Sequence, residues 1–315
     1  MISIYLELAK ARLTALVVMT AGVGYVVAAN GPFSWGRLFW TVFGTALAAG
    51  GANALNQVIE IERDRLMERT RRRALPDGRI GRGHALIFAS IVSAAGPVLL
   101  ALFVNGRTAS LGLAAIVLYV LVYTPMKPLT PLCTLVGAVC GAIPPVMGWT
   151  ARTGELGAGG WILGALLFVW QIPHFLALAW LYREDYARGG FRMLPSLDVK
   201  GIVTFRMILL YSLVLLPIGL ALTLTGSAGP IYAAGSLLFG GALLVPGVKL
   251  YRRKGDPEAR RLFFATLLYM PLVLGLMVID RGPGGGIPVA ALAEAVSSWE
   301  FGDSIPDSEG ALPPR

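Results

Sequence analysis

The chain has 315 residues, 56% hydrophobic and 14% charged, with a formal net charge of +9. A soluble domain carries nearer about a quarter charged residues, so this composition excludes an ordinary water-soluble enzyme and indicates a polytopic membrane protein. The positive charge follows membrane topology and gives no separate support for nucleic-acid binding.

In chain order, nine apolar spans are expected near residues 13–29, 38–55, 84–104, 109–124, 131–149, 161–181, 202–225, 230–249 and 262–280. No alternating ten-residue strand pattern appears. Backbone groups cannot stay unpaired in lipid, so the fold class is all-α, a bundle of nine transmembrane helices. With the N-terminus inside, the inner segments carry 21 Lys and Arg residues and the outer ones 5. That asymmetry predicts an N-in, C-out topology. The first span lacks a cleavage-type ending, which points to direct insertion into a bacterial cytoplasmic (inner) membrane. Residues 1–281 are read as the transmembrane domain. Residues 282–315, containing RGPGGG and GDSIPDSEGALPPR, are read as a linker and flexible tail with a short helix in ALAEAVSSW.

Between the second and third spans, NALNQVIEIERDRLMERTRRRALPDGR gathers five carboxylates and seven arginines in residues 53–79. Asn56, Glu60 and Asp64 recur every fourth residue and share one helix face, bordered by Asn53 and Gln57. Carboxylates at that spacing suit Mg2+, which takes oxygen ligands and shares its shell with substrate phosphates. The neighbouring guanidiniums match phosphate oxygens, so a metal-bound diphosphate is one coherent ligand. A solvated salt-bridged helix surface combined with a topology signal is the other reading. The spacing alone leaves both open.

Further along, Pro144 and Pro145 in GAIPPVMGW are expected to break or kink the fifth helix. Cys133 and Cys140 lack zinc or thioredoxin spacing and are read as packing residues. A second polar knot, WQIPHFLALAWLYREDYARGGFRMLP, spans residues 170–195 and falls on the same side of the membrane as the first. His174 lies inside a hydrophobic span, where an ionisable residue is a functional candidate by default. A neutral histidine bonded between helices is the plainer alternative. His84, at the start of the third span, reads as interfacial.

Three stretches carry a resemblance: NQVIEIERDRLMERTRRRALPDGRI, YTPMKPLTPLCTLVGAVCGAIPPVMGW and the 170–195 knot. Together they resemble the haem-prenylating branch, the haem O synthases, of the UbiA superfamily of intramembrane prenyltransferases, over about residues 5–280. The superfamily's first motif, N-x-x-x-D-x-x-x-D, falls on Asn56, Glu60 and Asp64, with Glu in place of the first Asp. Glu184 and Asp185 stand where other branches carry more widely spaced aspartates. Lys10–Ala11–Arg12 replaces the usual K-P-R, and Ala74 replaces a usual Pro.

The resemblance implies a UbiA-type helical bundle around a central cavity. It implies farnesyl diphosphate and haem B as substrates and Mg2+ held by Asn56, Glu60, Asp64, Glu184 and Asp185. A vinyl group of haem B would be farnesylated with addition of water, giving haem O and diphosphate. Arg69, Arg73 and Arg183 are expected on the diphosphate, and Tyr123, Tyr182 and Tyr186 beside the allylic cation. His174 and Asp185 join Asn56, Glu60 and Asp64 as expected catalytic residues. Hand-over of product to a haem A synthase or a terminal oxidase is a further implied partnership. The rival readings are a UbiA-type enzyme with an aromatic or quinone-precursor acceptor, a transporter, and a non-catalytic assembly factor. No internal repeat supports transport.

Overall fold

The structure, a computed structural model, describes residues 2–28 and 33–281. Among these residues the only non-helical pairing is an isolated bridge between Ala228 and Arg281. The expected tail helix and linker lie outside the described residues.

A short helix α1 (Ile2–Leu8) precedes α2 (Ala11–Val27), α3 (Trp35–Leu66), α4 (Arg82–Phe103) and α5 (Gly106–Val117). The α5 helix runs on through a π-helical turn at Leu118–Tyr123 into α6 (Thr124–Met126). Then follow α7 (Cys133–Thr153), α8 (Ala158–Leu181), α9 (Arg183–Arg188), α10 (Leu194–Leu197), α11 (Ile202–Leu224), α12 (Pro230–Arg253) and α13 (Asp256–Ile279). Eight of these segments are long and apolar enough to cross a bilayer, counting Gly106–Met126 as one; α2, with 17 residues, is a ninth apolar helix.

Two features of the sequence explain how the helices sit together. Small residues let backbones approach, which is how helices associate where lipid offers no hydrophobic drive. A Cβ at Gly148 would collide with the Ala21 carbonyl, and one at Gly24 with the Pro145 carbonyl, so α2 and α7 touch backbone to backbone. The same contact bears on one expectation: of the break or kink expected at Pro144 and Pro145 the break is absent, and α7 continues as helix through both. Proline's φ suits a helix, and the close packing on α2 holds the turn. Large side chains such as Leu102, Phe264 and Leu238 remain exposed, as befits surfaces turned to lipid.

The second feature is length. At about 1.5 Å per residue, the 32 residues of α3 greatly exceed a hydrocarbon core of about 30 Å. Ser34 caps its start, accepting from the Arg37 N–H at 3.3 Å. Its last three turns therefore project from one end of the bundle and carry the acidic stretch. The 127–132 turn, α9, α10 and the start of α13 gather at that same end.

Candidate active site

On the projecting part of α3, Asn56, Glu60 and Asp64 are all buried. Each meets a cation from a different segment. Lys10 Nζ donates to Asn56 Oδ1 at 2.9 Å, Lys127 Nζ lies 2.8 Å from Glu60 Oε1, and Arg73 Nη1 lies 2.9 Å from Asp64 Oδ2.

Local structure delivers these cations. Lys10 separates α1 from α2 in a left-handed conformation, φ 47° and ψ 55°, a backbone state uncommon for a residue with a side chain. Burial, reinforced by Arg73 and Lys127, pushes its ammonium down to about 7, while Glu60 and Asp64 pull the other way. Lys127 follows the π-helical turn, an arrangement often found at functional sites. Just after that turn, Thr124 Oγ1 donates to the Tyr119 carbonyl at 2.8 Å and receives Asn56 Nδ2 at 3.0 Å. Lys127 Nζ also lies 4.7 Å from the Tyr123 ring centroid. Arg73 is set by the loop after α3, which Glu7 pins by accepting from the Ala74 N–H (2.7 Å) and from Arg79 (3.0 Å). Thr70 Oγ1 closes the loop onto the Asp64 carbonyl at 2.8 Å.

The second knot docks onto this loop. Asp185, buried on α9, accepts from the Glu68 N–H at 2.8 Å, the Arg69 N–H at 3.2 Å and Arg188 Nη2 at 2.8 Å. Burial opposes its charged form, yet Arg188 and the two backbone N–H groups outweigh it and hold the carboxyl below the usual range. Arg69 then lies against two rings, 4.7 Å from Tyr182 and 5.3 Å from Tyr186, and donates to the Tyr186 hydroxyl at 3.2 Å. Arg63 bonds the carbonyls of Gly189 and Gly190.

The structure thus brings together Asn56, Glu60, Asp64, Arg73 and, through Lys127, Tyr123. It joins Asp185, Arg69, Tyr182 and Tyr186 to them through the 67–70 turn. Three expected residues lie elsewhere. Glu184 is exposed, and Arg183 pairs with Asp256 at 2.8 Å beside Trp180. His174 stacks between Trp170 and Phe263, with Nδ1 at 2.9 Å from Thr266 Oγ1, at the α8–α13 contact. Lys10, Lys127 and Glu7 join the site without having been singled out. Lys127 had a signal, as the one cation in the 125–130 turn.

Among the described residues, no three His, Cys, Asp or Glu side chains form a ready-made metal cage. The α3 face offers two carboxylates and one amide oxygen. That all-oxygen, incomplete donor set fits Mg2+, which keeps water and substrate oxygens in its shell. Beneath this end lies a cavity of about 150 Å3, lined by Leu13, Asn53, Ile116, Tyr119, Gly137 and Phe175, among others. Asn53 lines the cavity about one helical turn from Asn56, so an apolar space adjoins the charged ladder, an order that suits an amphiphile with an anionic head.

The model of the UbiA prenyltransferase family matches residues 17–270. The chain is 43% identical over 289 residues to a protein of Solibacter usitatus named protoheme IX farnesyltransferase, covering 89% of this chain and 99% of that one. A digeranylgeranylglyceryl phosphate synthase superposes with a TM-score of 0.74 at 17% identity, over 89% of this chain and 98% of that one. A UbiA homologue from Archaeoglobus fulgidus bound to GPP and Mg2+ superposes at 0.63 and 13% identity, over 87% and 99%.

Proposed function

The chain belongs to the UbiA prenyltransferase family, and we propose that it transfers a farnesyl group from farnesyl diphosphate to a vinyl group of haem B, with addition of water, giving haem O and diphosphate. The observation that carries this reading is the buried ladder of Asn56, Glu60 and Asp64, ringed by Lys10, Lys127 and Arg73 above an apolar cavity. The choice of haem as acceptor is supported by the 43% identity across nearly the whole of a protein named for that reaction.

Asn56, Glu60 and Asp64 would hold Mg2+, with Asp185 at the edge of the same site. When bound, Mg2+ supplies positive charge to the departing diphosphate. Arg73, Arg69, Lys127 and Lys10 bind the remaining phosphate oxygens; the guanidiniums give paired hydrogen bonds and the ammoniums point charges. The farnesyl chain lies in the cavity, whose largely apolar wall keeps bulk water from the allylic cation. Tyr123, beside Lys127, and the Tyr182–Tyr186 pair present ring faces at the mouth, which favour a passing cation. This end of the bundle is assigned to the cytoplasmic side of a bacterial inner membrane, from the excess of 21 basic residues there over 5 opposite. Product release to a haem A synthase or an oxidase belongs to the same proposal.

Product mass spectrometry tests it. Purified protein receives haem B and farnesyl diphosphate with Mg2+ or with EDTA, beside an Asp64→Asn variant. A haem product heavier by farnesyl plus water, dependent on Mg2+ and lost in the variant, is expected. Prenylation of an aromatic acid offered in parallel, with haem untouched, would overturn the acceptor.

A further inference from the structure

Most polar groups lining the cavity are satisfied. Asn53 accepts from the Tyr119 hydroxyl at 3.1 Å and donates to Thr14 Oγ1 at 3.3 Å. Thr45 Oγ1 has no partner, but it sits eight residues, about 12 Å, further along α3 from the acidic ladder than Asn53. Gln171 is different. It lies on α8, is 5% exposed and enters the cavity wall. Its Nε2 donates to the carbonyls of Leu167 at 3.0 Å and Ala138 at 3.5 Å, which fixes the amide. Its Oε1 lies over Gly141, where a Cβ would collide with it. Among the described residues, no donor reaches that oxygen.

Depth places this acceptor near the chemistry. A Cβ at Gly137 would lie 2.8 Å from the Tyr123 ring. Tyr123 in turn lies beneath Lys127, which holds Glu60. Gly141 is one helical turn from Gly137, so Gln171 is about 6 Å below that layer. The oxygen is not sealed inside the protein but open to the cavity that Gln171 lines, so an amide locked in this pose offers its free acceptor to a donor among the reactants. A farnesyl chain offers none, and neither does the vinyl edge of a porphyrin. Water is the one reactant that does.

We infer that Gln171 Oε1 holds and orients the water that becomes the hydroxyl of the product; the inference rests on the haem-farnesylating reading above. The C–O bond of the diphosphate ester breaks, and its electron pair leaves with diphosphate. The vinyl π electrons form the new C–C bond from the terminal carbon to farnesyl C1. Positive charge is left on the carbon attached to the macrocycle. The water held by Gln171 donates a lone pair to that carbon, and its proton passes to the departing diphosphate. No oxidation or reduction occurs. Without the oriented water, the same cation instead sheds a neighbouring proton and gives a diene lighter by one water. Gln171 is a positioning residue in this account.

The test is the ratio of hydrated to unhydrated farnesyl-haem, read by mass spectrometry on full-length protein with haem B, farnesyl diphosphate and Mg2+. Gln171→Met keeps the size and removes the acceptor; it should still consume haem while the ratio falls about tenfold or more, the equivalent of one lost orienting hydrogen bond. Gln171→Glu keeps an acceptor but loses the Nε2 donor that fixes the pose, so the ratio should stay below that of the unsubstituted protein. Gly141→Ala leaves Gln171 in place but displaces its Oε1, and decides the matter if Gln171→Met does not fold; the ratio should fall there too. An unchanged ratio in Gln171→Met, or in Gly141→Ala where that variant decides, overturns the inference. Absence of any haem product from the unsubstituted protein refutes the underlying reaction instead.

Discussion

Replacing Lys127 by Met should separate stability from catalysis at the heart of the site. The Lys127 and Glu60 side chains are only 12% and 7% exposed and lie 2.8 Å apart. At an effective dielectric of about 20 their gross attraction is roughly 6 kcal/mol, most of it offset by the desolvation of both charges. Removing one partner leaves Glu60 buried and uncompensated, which costs about 3–5 kcal/mol. Lys10 is a second ammonium near Glu60, so the lower half of that range is expected. At about 2–4 °C per kcal/mol, the apparent Tm in detergent should fall on the order of 10 °C. The double variant Glu60→Gln/Lys127→Met removes both charges and should recover most of that loss. Neither protein should turn over farnesyl diphosphate at more than about a hundredth of the normal rate, since each lacks a group placed on the reacting charge. Thermal melts and product assays on the four-protein cycle give both numbers. A double variant no more stable than Lys127→Met alone would refute the view that the pair is a buried, mutually dependent unit.

His174→Ala removes a ring stacked between Trp170 and Phe263 and its bond to Thr266, so stability should fall by about 2–4 kcal/mol. Below its melting range the variant should still bind farnesyl diphosphate and make product; lost haem turnover with diphosphate binding intact would give His174 an acceptor-side role instead. Asp185→Asn should loosen the 67–70 turn that its carboxylate clamps, at a cost of about 1.5–3 kcal/mol, seen as faster tryptic cleavage at the neighbouring arginines; unchanged cleavage would exclude the clamp. Asp198 accepts from the N–H groups of Ile202 at 3.0 Å and Thr204 at 2.7 Å. Burial works against its charge, but these bonds outweigh it and hold its pKa below 3.8. Its folded pKa is therefore depressed. The stability it contributes is fully present above about pH 4 and is lost as pH falls through the folded value. Asp198→Asn should accordingly flatten acid destabilisation below pH 4.

How much of this was legible in the sequence depends on whether the signal was local. The spans followed from apolar length, and the Asn56–Glu60–Asp64 face followed from one-turn spacing, because a helix converts sequence distance directly into geometry. Lys10 and Lys127 were harder. Their nearness to α3 depends on a left-handed residue between two helices and on a π-helical turn, neither of which has a periodic signature. His174 was singled out from the cost of an ionisable group in lipid, but such a group is equally at home against Thr266 and two rings, and sequence gives no direction for its face. A break or kink at Pro144–Pro145 was expected from proline's missing N–H. The break did not appear, because Gly24 and Gly148 seat α7 tightly on α2, a contact between segments more than 120 residues apart.

The two acidic knots also differ in how tightly their carboxylates are committed, and this bears on where a metal binds. Both oxygens of Asp185 are taken by backbone N–H groups that cannot leave without unfolding the turn. Glu60 and Asp64 are instead held by Lys127 and Arg73, flexible side chains that can move to phosphate oxygens when a cation takes their place. A divalent ion arriving with diphosphate thus finds the α3 ladder available at little structural cost and Asp185 at a high one. Titration of Mn2+ by electron paramagnetic resonance, with farnesyl diphosphate present, makes the distinction measurable. Glu60→Gln should weaken binding about tenfold or more, one charged oxygen donor being worth at least that. Asp185→Asn should weaken it about threefold or less. Reversal of that order would move the metal from the ladder to α9, and the arginines of the 67–73 loop would then be read as partners of the second knot.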